Sequence, residues 1–272
     1  MSSPTAEPTV AELFDLSGRA ALVTGGTGHL GASMSRCLAE AGATVIVAGR
    51  DAERCRRFAA TLPAVPGAPH AGVTLDQSDE TSRTTGFAAA VELAGGRLDI
   101  LVNNAIDRPA VTHDLTDVSA EEFDAQLRNN TAYFILARMM REHAVARGAP
   151  ASIVMIGSMY GLVGSYPDAY EGVCVASAVQ YHALKGGTIQ MTRHLAVYWA
   201  RDGVRVNCLS PGPFPVPDGV AAELERRLGT KSPMGRMGRR HELKGALLLL
   251  ASDAGSYITG QNIVVDGGWT AW

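Results

Sequence analysis

The sequence has 272 residues, of which 46% are hydrophobic and 19% are charged, and its formal net charge at pH 7 is −3. This length allows a buried core, and the slightly acidic balance without a basic run argues against a nucleic-acid partner or an anionic membrane surface. Its four cysteines lack C-x-x-C pairing, histidines are scattered, and no run of about 18 apolar residues occurs, so we expect a cytoplasmic protein without a metal or a membrane span.

Strand and helix patterns alternate along the chain. Short apolar, β-branched runs predict strands at residues 20–26, 44–50, 72–79, 98–105, 151–158, 204–213 and 262–268. Helical patterns lie between most of them, at residues 32–42, 51–62, 123–148, 182–203 and 241–255. Such an alternation is typical of a parallel sheet covered on both faces, so we predict a single-domain, doubly wound α/β Rossmann fold with a mostly parallel, seven-stranded sheet. Its ligand site should lie at the carboxyl ends of the strands.

Two segments fall outside this alternation. Residues 1–15 are polar and rich in Pro and Thr, without a basic region followed by an apolar core, so we expect a flexible N-terminal tail and not a signal peptide. The Rossmann domain is expected over residues 16–272. Within it, residues 213–235 carry several Pro and Gly residues, and we predict that they form a substrate lid.

The glycine-rich stretch TGGTGHLG, residues 24–31, lies where the first strand becomes a helix. Gly26, Gly28 and Gly31 satisfy G-x-G-x-x-G, the pattern of a tight turn that brings backbone close to a pyrophosphate at a helix N-terminus. The second strand should end at the adenosine ribose, about 20 residues on, where an acidic residue favours NAD. Arg50 stands there instead and favours the 2′-phosphate of NADP(H), although Asp51 follows and NAD(H) stays an alternative.

The stretch YHALK places Tyr181 and Lys185 four positions apart. One helical turn brings such positions together, so the pair alone fits either an acid–base site or an ordinary helix surface. The rest of the chain has to decide between these two interpretations.

Together these motifs resemble those of the short-chain dehydrogenase/reductase family, from about Leu16 to Trp272. NNA at 103–105 is similar to the family's segment beside the cofactor, and SYITGQNIVVDGG at 256–268 to its strand for subunit contacts, which implies a homotetramer or homodimer. In LDQSD, Asp76 resembles the family's side-chain contact to adenine and Gln77 its backbone contact. The cofactor-binding residues that the resemblance implies are Gly25, Thr27, Gly28, His29, Leu30, Gly31, Arg50, Asp76, Gln77, Asn104, Ala105, Tyr181, Lys185, Pro211 and Gly212.

The resemblance also implies a catalytic set of Asn130, Ser158, Tyr181 and Lys185. Tyr181 would exchange a proton with the substrate oxygen, and an ammonium on Lys185 would favour its phenolate and hold the nicotinamide ribose. Ser158 would hydrogen-bond the substrate oxygen, and Asn130 would hold a water in a proton relay behind Lys185. Asn129 is the alternative if the helix register differs by one residue.

This sequence departs from the family pattern at several places. His29 stands where the family has a glycine, and it either contacts phosphate or points outward. The Thr that usually follows Pro-Gly is missing. Ser158 and Tyr181 lie 23 positions apart, and the stretch between them is longer than usual, polar and aromatic. That stretch and the closing DGGWTAW most resemble members that act on sugars, sugar acids or cyclitols, although a surface loop without a substrate role fits the stretch equally well.

We therefore predict an NADP(H)-dependent oxidoreductase that interconverts a secondary alcohol and a ketone on a small polar substrate, by hydride transfer with Tyr181 as the acid/base. One alternative is a reductase of a less polar ketone or a 3-oxoacyl substrate. Others are a non-catalytic, cofactor-binding regulator and an epimerase that works through a transient ketone.

Overall fold

The computed structural model describes residues 7–66, 68–107, 115–216 and 219–272. Its sheet consists of β1 Ala20–Thr24, β2 Thr44–Gly49, β3 Ala71–Thr74, β4 Ile100–Asn103, β5 Ala151–Ile156, β6 Val204–Pro211 and β7 Asn262–Val265. The strand order is β3-β2-β1-β4-β5-β6-β7, and all neighbouring strands pair in parallel. The predicted doubly wound, seven-stranded Rossmann fold is confirmed.

Helices cover both faces of this sheet. The α-helices are α1 Val10–Phe14, α2 His29–Glu40, α3 Ala52–Ala59, α4 Glu80–Leu93, α5 Ala120–Arg147, α6 Pro167–Tyr170, α7 Val179–Trp199, α8 Ala222–Lys231 and α9 Lys244–Ala251. Short 3₁₀ turns lie at Met159–Gly161, Ala200–Asp202, Arg240–Leu243, Asp253–Gly255 and Trp269–Ala271.

Successive strand residues enter two different cores. On β1, Leu22 packs with α4, α5 and α7 on one face, whereas Val23 packs with α2, α3 and α9 on the other. This alternation follows from the two-residue period of a strand. It explains why the strands read as continuous apolar runs, since both of their faces are buried.

Helix α4 was not predicted, because its sequence ETSRTTGFAAAVEL has residues of low helix propensity and no clear apolar stripe. Its first turn is capped by Asp79, whose carboxylate accepts a hydrogen bond from Ser82 N at 2.5 Å. Phe87 and Ala90 are buried against the sheet. Tertiary packing therefore stabilises a helix that local propensity does not favour.

The first 15 residues are not wholly irregular. Thr9 and Glu12 form a reciprocal capping box at the start of α1, which corrects the expectation of a tail without structure up to residue 15. Residues 1–6 lie outside the described residues. Within the predicted lid, 213–235, residues 217–218 also lie outside them, and the described part includes α8. Its movement as a lid stays a prediction.

Across the described ranges, no helix combines the length and apolar character that crossing a bilayer requires. In the same ranges, no three His, Cys, Asp or Glu side chains gather in a way that could hold a metal ion. Cys37, Cys55 and Cys208 are buried and Cys174 is exposed, and all four are free thiols.

Candidate active site

A cleft of about 870 Å³ lies at the carboxyl ends of the strands. It runs from the turn after β1, past the ends of β2, β3 and β4, to the end of β5, α7 and the segment after β6. All the predicted site residues except Asn130 line it: Gly25, Thr27, Gly28, His29, Leu30, Gly31, Arg50, Asp76, Gln77, Asn104, Ala105, Ser158, Tyr181, Lys185, Pro211 and Gly212. The fold thus brings these residues together, while their individual roles stay predictions.

The turn between β1 and α2 depends on glycine at two positions. Gly25 has a φ of +60°, and a Cβ on Gly31 would lie only 2.1 Å from the Gly25 carbonyl oxygen. Gly28 caps α2 without a side-chain hydrogen bond, and the first turn of α2 has no acidic side chain. The first amide N–H groups of a helix have no acceptor within it, so this turn suits a negatively charged phosphate.

Hydrogen bonds join this turn to the end of β4. Asn104 Nδ2 donates to the carbonyl oxygens of Thr24 at 2.9 Å and Gly25 at 3.2 Å. The Thr24 hydroxyl accepts from the backbone N–H groups of Asn104 at 2.9 Å and Ala105 at 3.0 Å. The NNA segment therefore fixes the shape of the turn that is predicted to bind phosphate.

His29, the residue that departs from the family pattern, is half-buried at the start of α2. Burial, and then the charge of Arg240, lower the pKa of its imidazole, while the hydrogen bond that the imidazole donates to the Pro215 carbonyl has the opposite effect. The side chain thus turns toward the segment that follows β6 and does not point outward. The imidazole is neutral at pH 7 and adds no positive charge to the turn.

Two arginines lie at the end of the cleft that is predicted to hold the adenosine, called the adenosine end below. The Arg50 side chain is 76% exposed, and its guanidinium lies 3.8 Å from the Asp107 carboxylate. Arg54 donates from Nη2 to the Thr27 carbonyl at 3.4 Å and lines the same cleft. Asp51 accepts from Arg54 N at 2.9 Å as the cap of α3. Sequence reasoning missed Arg54, although its position one helical turn after Arg50 could have indicated it.

The residues after β3 are held in a hydrogen-bonded turn. The Asp76 carboxylate accepts from Ser78 N at 2.9 Å and from Ser78 Oγ at 2.7 Å. These bonds, with a smaller contribution from Arg50, lower the pKa of Asp76, so it is an acceptor near neutral pH. The backbone oxygen of Gln77 accepts from Arg83 Nη1 at 2.6 Å.

The predicted acid–base pair lies on α7. The Lys185 ammonium is 5.8 Å from the centre of the Tyr181 ring and donates to the Ile156 carbonyl, at the end of β5, at 2.6 Å. Lys185 is only 3% exposed, so its charge acts in a poorly solvated environment. Ser158 is buried two residues after Ile156, and its Oγ accepts from Tyr160 N at 3.2 Å.

The two candidate asparagines of α5 face different neighbours. Asn130 Nδ2 donates to the Leu184 carbonyl at 3.0 Å, and its Oδ1 accepts from the Thr188 hydroxyl at 2.7 Å. Asn129 Oδ1 accepts from Gln77 Nε2 at 2.6 Å and from Asp107 N at 2.8 Å. Asn130 therefore lies between α5 and α7 behind Lys185, and Asn129 lies beside the adenosine end. Which of them acts in the reaction stays open.

The long stretch between Ser158 and Tyr181 packs against the C-terminus. Tyr160 stacks on His182 with ring centres 4.6 Å apart, and its hydroxyl lies 2.6 Å from that of Tyr170. Tyr166 contacts the buried Trp269 edge-on at 5.3 Å. The stretch is therefore a packed aromatic wall, and Tyr160 and Tyr170 line the cleft.

Comparison with known proteins gives matches over almost the whole chain. A family model described as enoyl-(acyl carrier protein) reductase matches residues 27–270. The chain is 35% identical to the galactitol 2-dehydrogenase (L-tagatose-forming) of Cereibacter sphaeroides, covering 96% of this chain and 98% of the relative. It is also 35% identical to the cis-4-hydroxycyclohexanecarboxylate dehydrogenase of Sinomonas cyclohexanicum, covering 93% and 97%. The solved gluconate 5-dehydrogenase of Burkholderia cenocepacia J2315, in complex with NADP and tartrate, is 29% identical with a TM-score of 0.83, covering 97% and 100%.

Proposed function

This chain belongs to the short-chain dehydrogenase/reductase family and is an oxidoreductase, and on that premise we propose that it uses NADP(H) to interconvert a secondary alcohol and a ketone on a small, polyol-like substrate. The observation that carries the proposal is the buried Lys185 ammonium beside the Tyr181 ring, in a cleft that begins at a phosphate-binding turn. A proton donor in this place has no use in a protein that only binds a cofactor.

The residues of the cleft fit a dinucleotide with a 2′-phosphate. The free amides at the start of α2, after Gly28, would hold the pyrophosphate, and Arg50 and Arg54 would hold the 2′-phosphate. Asp76 would accept from the adenine. When bound, the nicotinamide supplies the hydride exchange. The NADP complex of the Burkholderia relative supports this choice of cofactor.

At the opposite end of the cleft, Tyr181, Lys185 and Ser158 have different roles in the proton transfer. Tyr181 gives its phenolic proton to the oxygen that becomes a hydroxyl, or takes it back in the oxidative direction. The Lys185 ammonium favours the phenolate form, and its buried position strengthens that effect. Ser158 Oγ accepts a hydrogen bond from Tyr160 N, an arrangement that leaves the hydroxyl proton to be donated to the substrate oxygen.

The proposed substrate class rests on the relatives and on the cleft wall. The names of the three relatives above refer to a polyol, a hydroxylated ring acid and a sugar acid. The alternative is a reductase of a less polar ketone or a 3-oxoacyl substrate. It is favoured by the apolar side chains that Phe214, Val220, Leu228 and Met237 present to the cleft.

Incubation of the purified enzyme with NADP⁺ or NAD⁺ and a panel of alcohols, followed by nicotinamide absorbance, tests this function. We expect turnover of polyols with NADP⁺ in preference to NAD⁺. Turnover confined to apolar alcohols or 3-hydroxyacyl thioesters would establish the alternative. Product formed without net change in absorbance would identify an epimerase.

We further propose that the enzyme is a homotetramer or homodimer in the cytoplasm, as the family resemblance implies. Analytical ultracentrifugation at micromolar concentration and fractionation of cells that express the protein test the two statements. A monomer in the first experiment, or a membrane or secreted fraction in the second, would reject them.

A further inference from the structure

We propose that Gln126 of α5 and Gln180 of α7 bind the hydroxyl groups of a neutral polyol substrate, away from the carbon that reacts. This inference rests on the proposed function and extends it by naming two residues that select the substrate and by specifying that the substrate is uncharged. Both side chains line the cleft. Gln126 is only 4% exposed and Gln180 only 8%.

Each of these two carboxamides has a buried atom without a hydrogen bond to any described residue. In the part of the chain that the structure describes, Gln126 Nε2 and Gln180 Oε1 are both shielded from solvent and have no hydrogen-bond partner. A buried amide group that lacks a partner is costly, and native proteins satisfy nearly all such groups with protein, water or ligand. Two of them in the wall of one cleft therefore indicate a polar ligand.

The register of the two helices places the carboxamides at the same level. Helices α5 and α7 both run back from the carboxyl edge of the sheet, and Asn130 of α5 bonds the Leu184 carbonyl of α7. Four residues earlier on each helix, one turn closer to the cleft, stand Gln126 and Gln180. Gln180 also directly precedes Tyr181, and both residues line the cleft.

The chemistry of this pair matches hydroxyl groups better than a carboxylate. A carboxamide offers both a donor and an acceptor, and a hydroxyl group can satisfy either. The atom of Gln180 without a partner is an acceptor, and a carboxylate has no proton to donate to it. The pair therefore favours the hydroxyl groups of neutral polyols and cyclitols over the carboxylate of a sugar acid.

The variants Gln126→Met and Gln180→Met keep the approximate side-chain volume and remove the hydrogen-bonding groups. Gln190→Met on the exposed side of α7 is the matched control. Each enzyme is assayed with NADP⁺ and neutral polyols (galactitol, sorbitol, myo-inositol), with gluconate, and with cyclohexanol, which has one hydroxyl group. We expect kcat/KM for the best polyol to fall about 10- to 100-fold in each cleft variant, mainly through KM. The cyclohexanol activity and the control variant should change little.

Thermal unfolding separates a binding role from a structural one. Because these two amide atoms have no hydrogen-bond partner among the described residues, the cleft variants should unfold at the same temperature as wild type or higher. A lower unfolding temperature together with equal losses for polyol and cyclohexanol would show a structural role and overturn the inference. Unchanged polyol kinetics in both variants, or gluconate as a better wild-type substrate than every polyol, would also overturn it. Wild-type enzyme that turns over none of the hydroxylated substrates would instead reject the proposed function.

Discussion

The ammonium of Lys185 lies 5.8 Å from the centre of the Tyr181 ring, one helical turn away on α7. The hydrogen bond from Lys185 Nζ to the Ile156 carbonyl anchors this ammonium to the end of β5. The sheet therefore determines where the charge lies relative to the phenol. A surface pair would leave the ammonium in water, so the buried position of Lys185 favours the acid–base interpretation of the YHALK motif, which stays a prediction.

Replacement of Lys185 by Met should reduce turnover about 100-fold or more, since the phenolate of Tyr181 loses its nearby positive charge. The protein should stay folded, because Met keeps the buried aliphatic chain and removes a buried charge. Steady-state kinetics and circular dichroism measure the two effects. Retained activity in a folded variant would show that Lys185 has no part in the proton transfer.

Two arginines should determine the cofactor preference. The variants Arg50→Ser and Arg54→Ser should each weaken NADPH binding about tenfold and leave NADH binding nearly unchanged, because only NADPH carries the 2′-phosphate. Fluorescence titration with both cofactors measures this difference. An equal loss for NADPH and NADH would mean that the arginines act on the shape of the cleft. Arg57→Ser, on an exposed side of α3, is the control.

The turn after β1 should not tolerate a methyl group at Gly31. A Cβ there would lie 2.1 Å from the Gly25 carbonyl, so Gly31→Ala should destabilise the fold by about 1–3 kcal/mol and abolish NADPH binding. Gly164→Ala, where a Cβ would meet no atom of the described residues within 4 Å, is the matched control. Urea unfolding and cofactor titration provide the two measurements. A Gly31→Ala protein with normal stability would contradict the packing described for this turn.

The stability of the enzyme should decrease on mild acidification. Three histidines have a pKa below the ordinary value of 6.5, mainly because they are buried: His29, His143 and His182. These groups bind protons more weakly in the folded than in the unfolded state, so the free energy of unfolding falls as the pH drops below about 6.5.

His143 allows this to be tested away from the cleft, because its Nε2 accepts from Leu98 N at 3.1 Å near the start of β4. His143→Gln should show a smaller loss of stability than wild type between about pH 7 and pH 5, as measured by urea unfolding. An identical pH dependence in both proteins would exclude His143 as a contributor.

The ion pair between Lys231 of α8 and Asp168 of α6 joins the proposed lid to the aromatic wall. Lys231 Nζ lies 2.6 Å from the Asp168 carboxylate and 4.6 Å from the centre of the Tyr166 ring. Lys231→Met should raise the substrate KM several-fold and leave the affinity for NADPH unchanged. Equal changes in both constants would argue against a lid at this place.

The sequence predicts the strands well because both faces of the sheet are buried, so that each strand is a continuous apolar run. It does not predict α4, because the Thr and Gly residues of this helix are also compatible with a turn. The packing of Phe87 in the core, which stabilises the helix, is a tertiary contact. The glycine-rich turn follows from local spacing, whereas the proposed acid–base pair could be picked out only together with the other motifs of the chain. The place of Gln126 in the cleft and the packing of Trp269 depend on tertiary contacts, which no local pattern encodes.

Turnover by the Tyr181→Phe variant tests the central claim, that this phenol exchanges the proton with the substrate. The variant lacks only the hydroxyl group, so the cleft and the aromatic packing around the ring should be preserved. We expect polyol turnover to fall about 1,000-fold or more while the NADPH affinity, measured by fluorescence titration, stays at the wild-type value. Turnover close to that of wild type would contradict the assignment of Tyr181 as the acid/base.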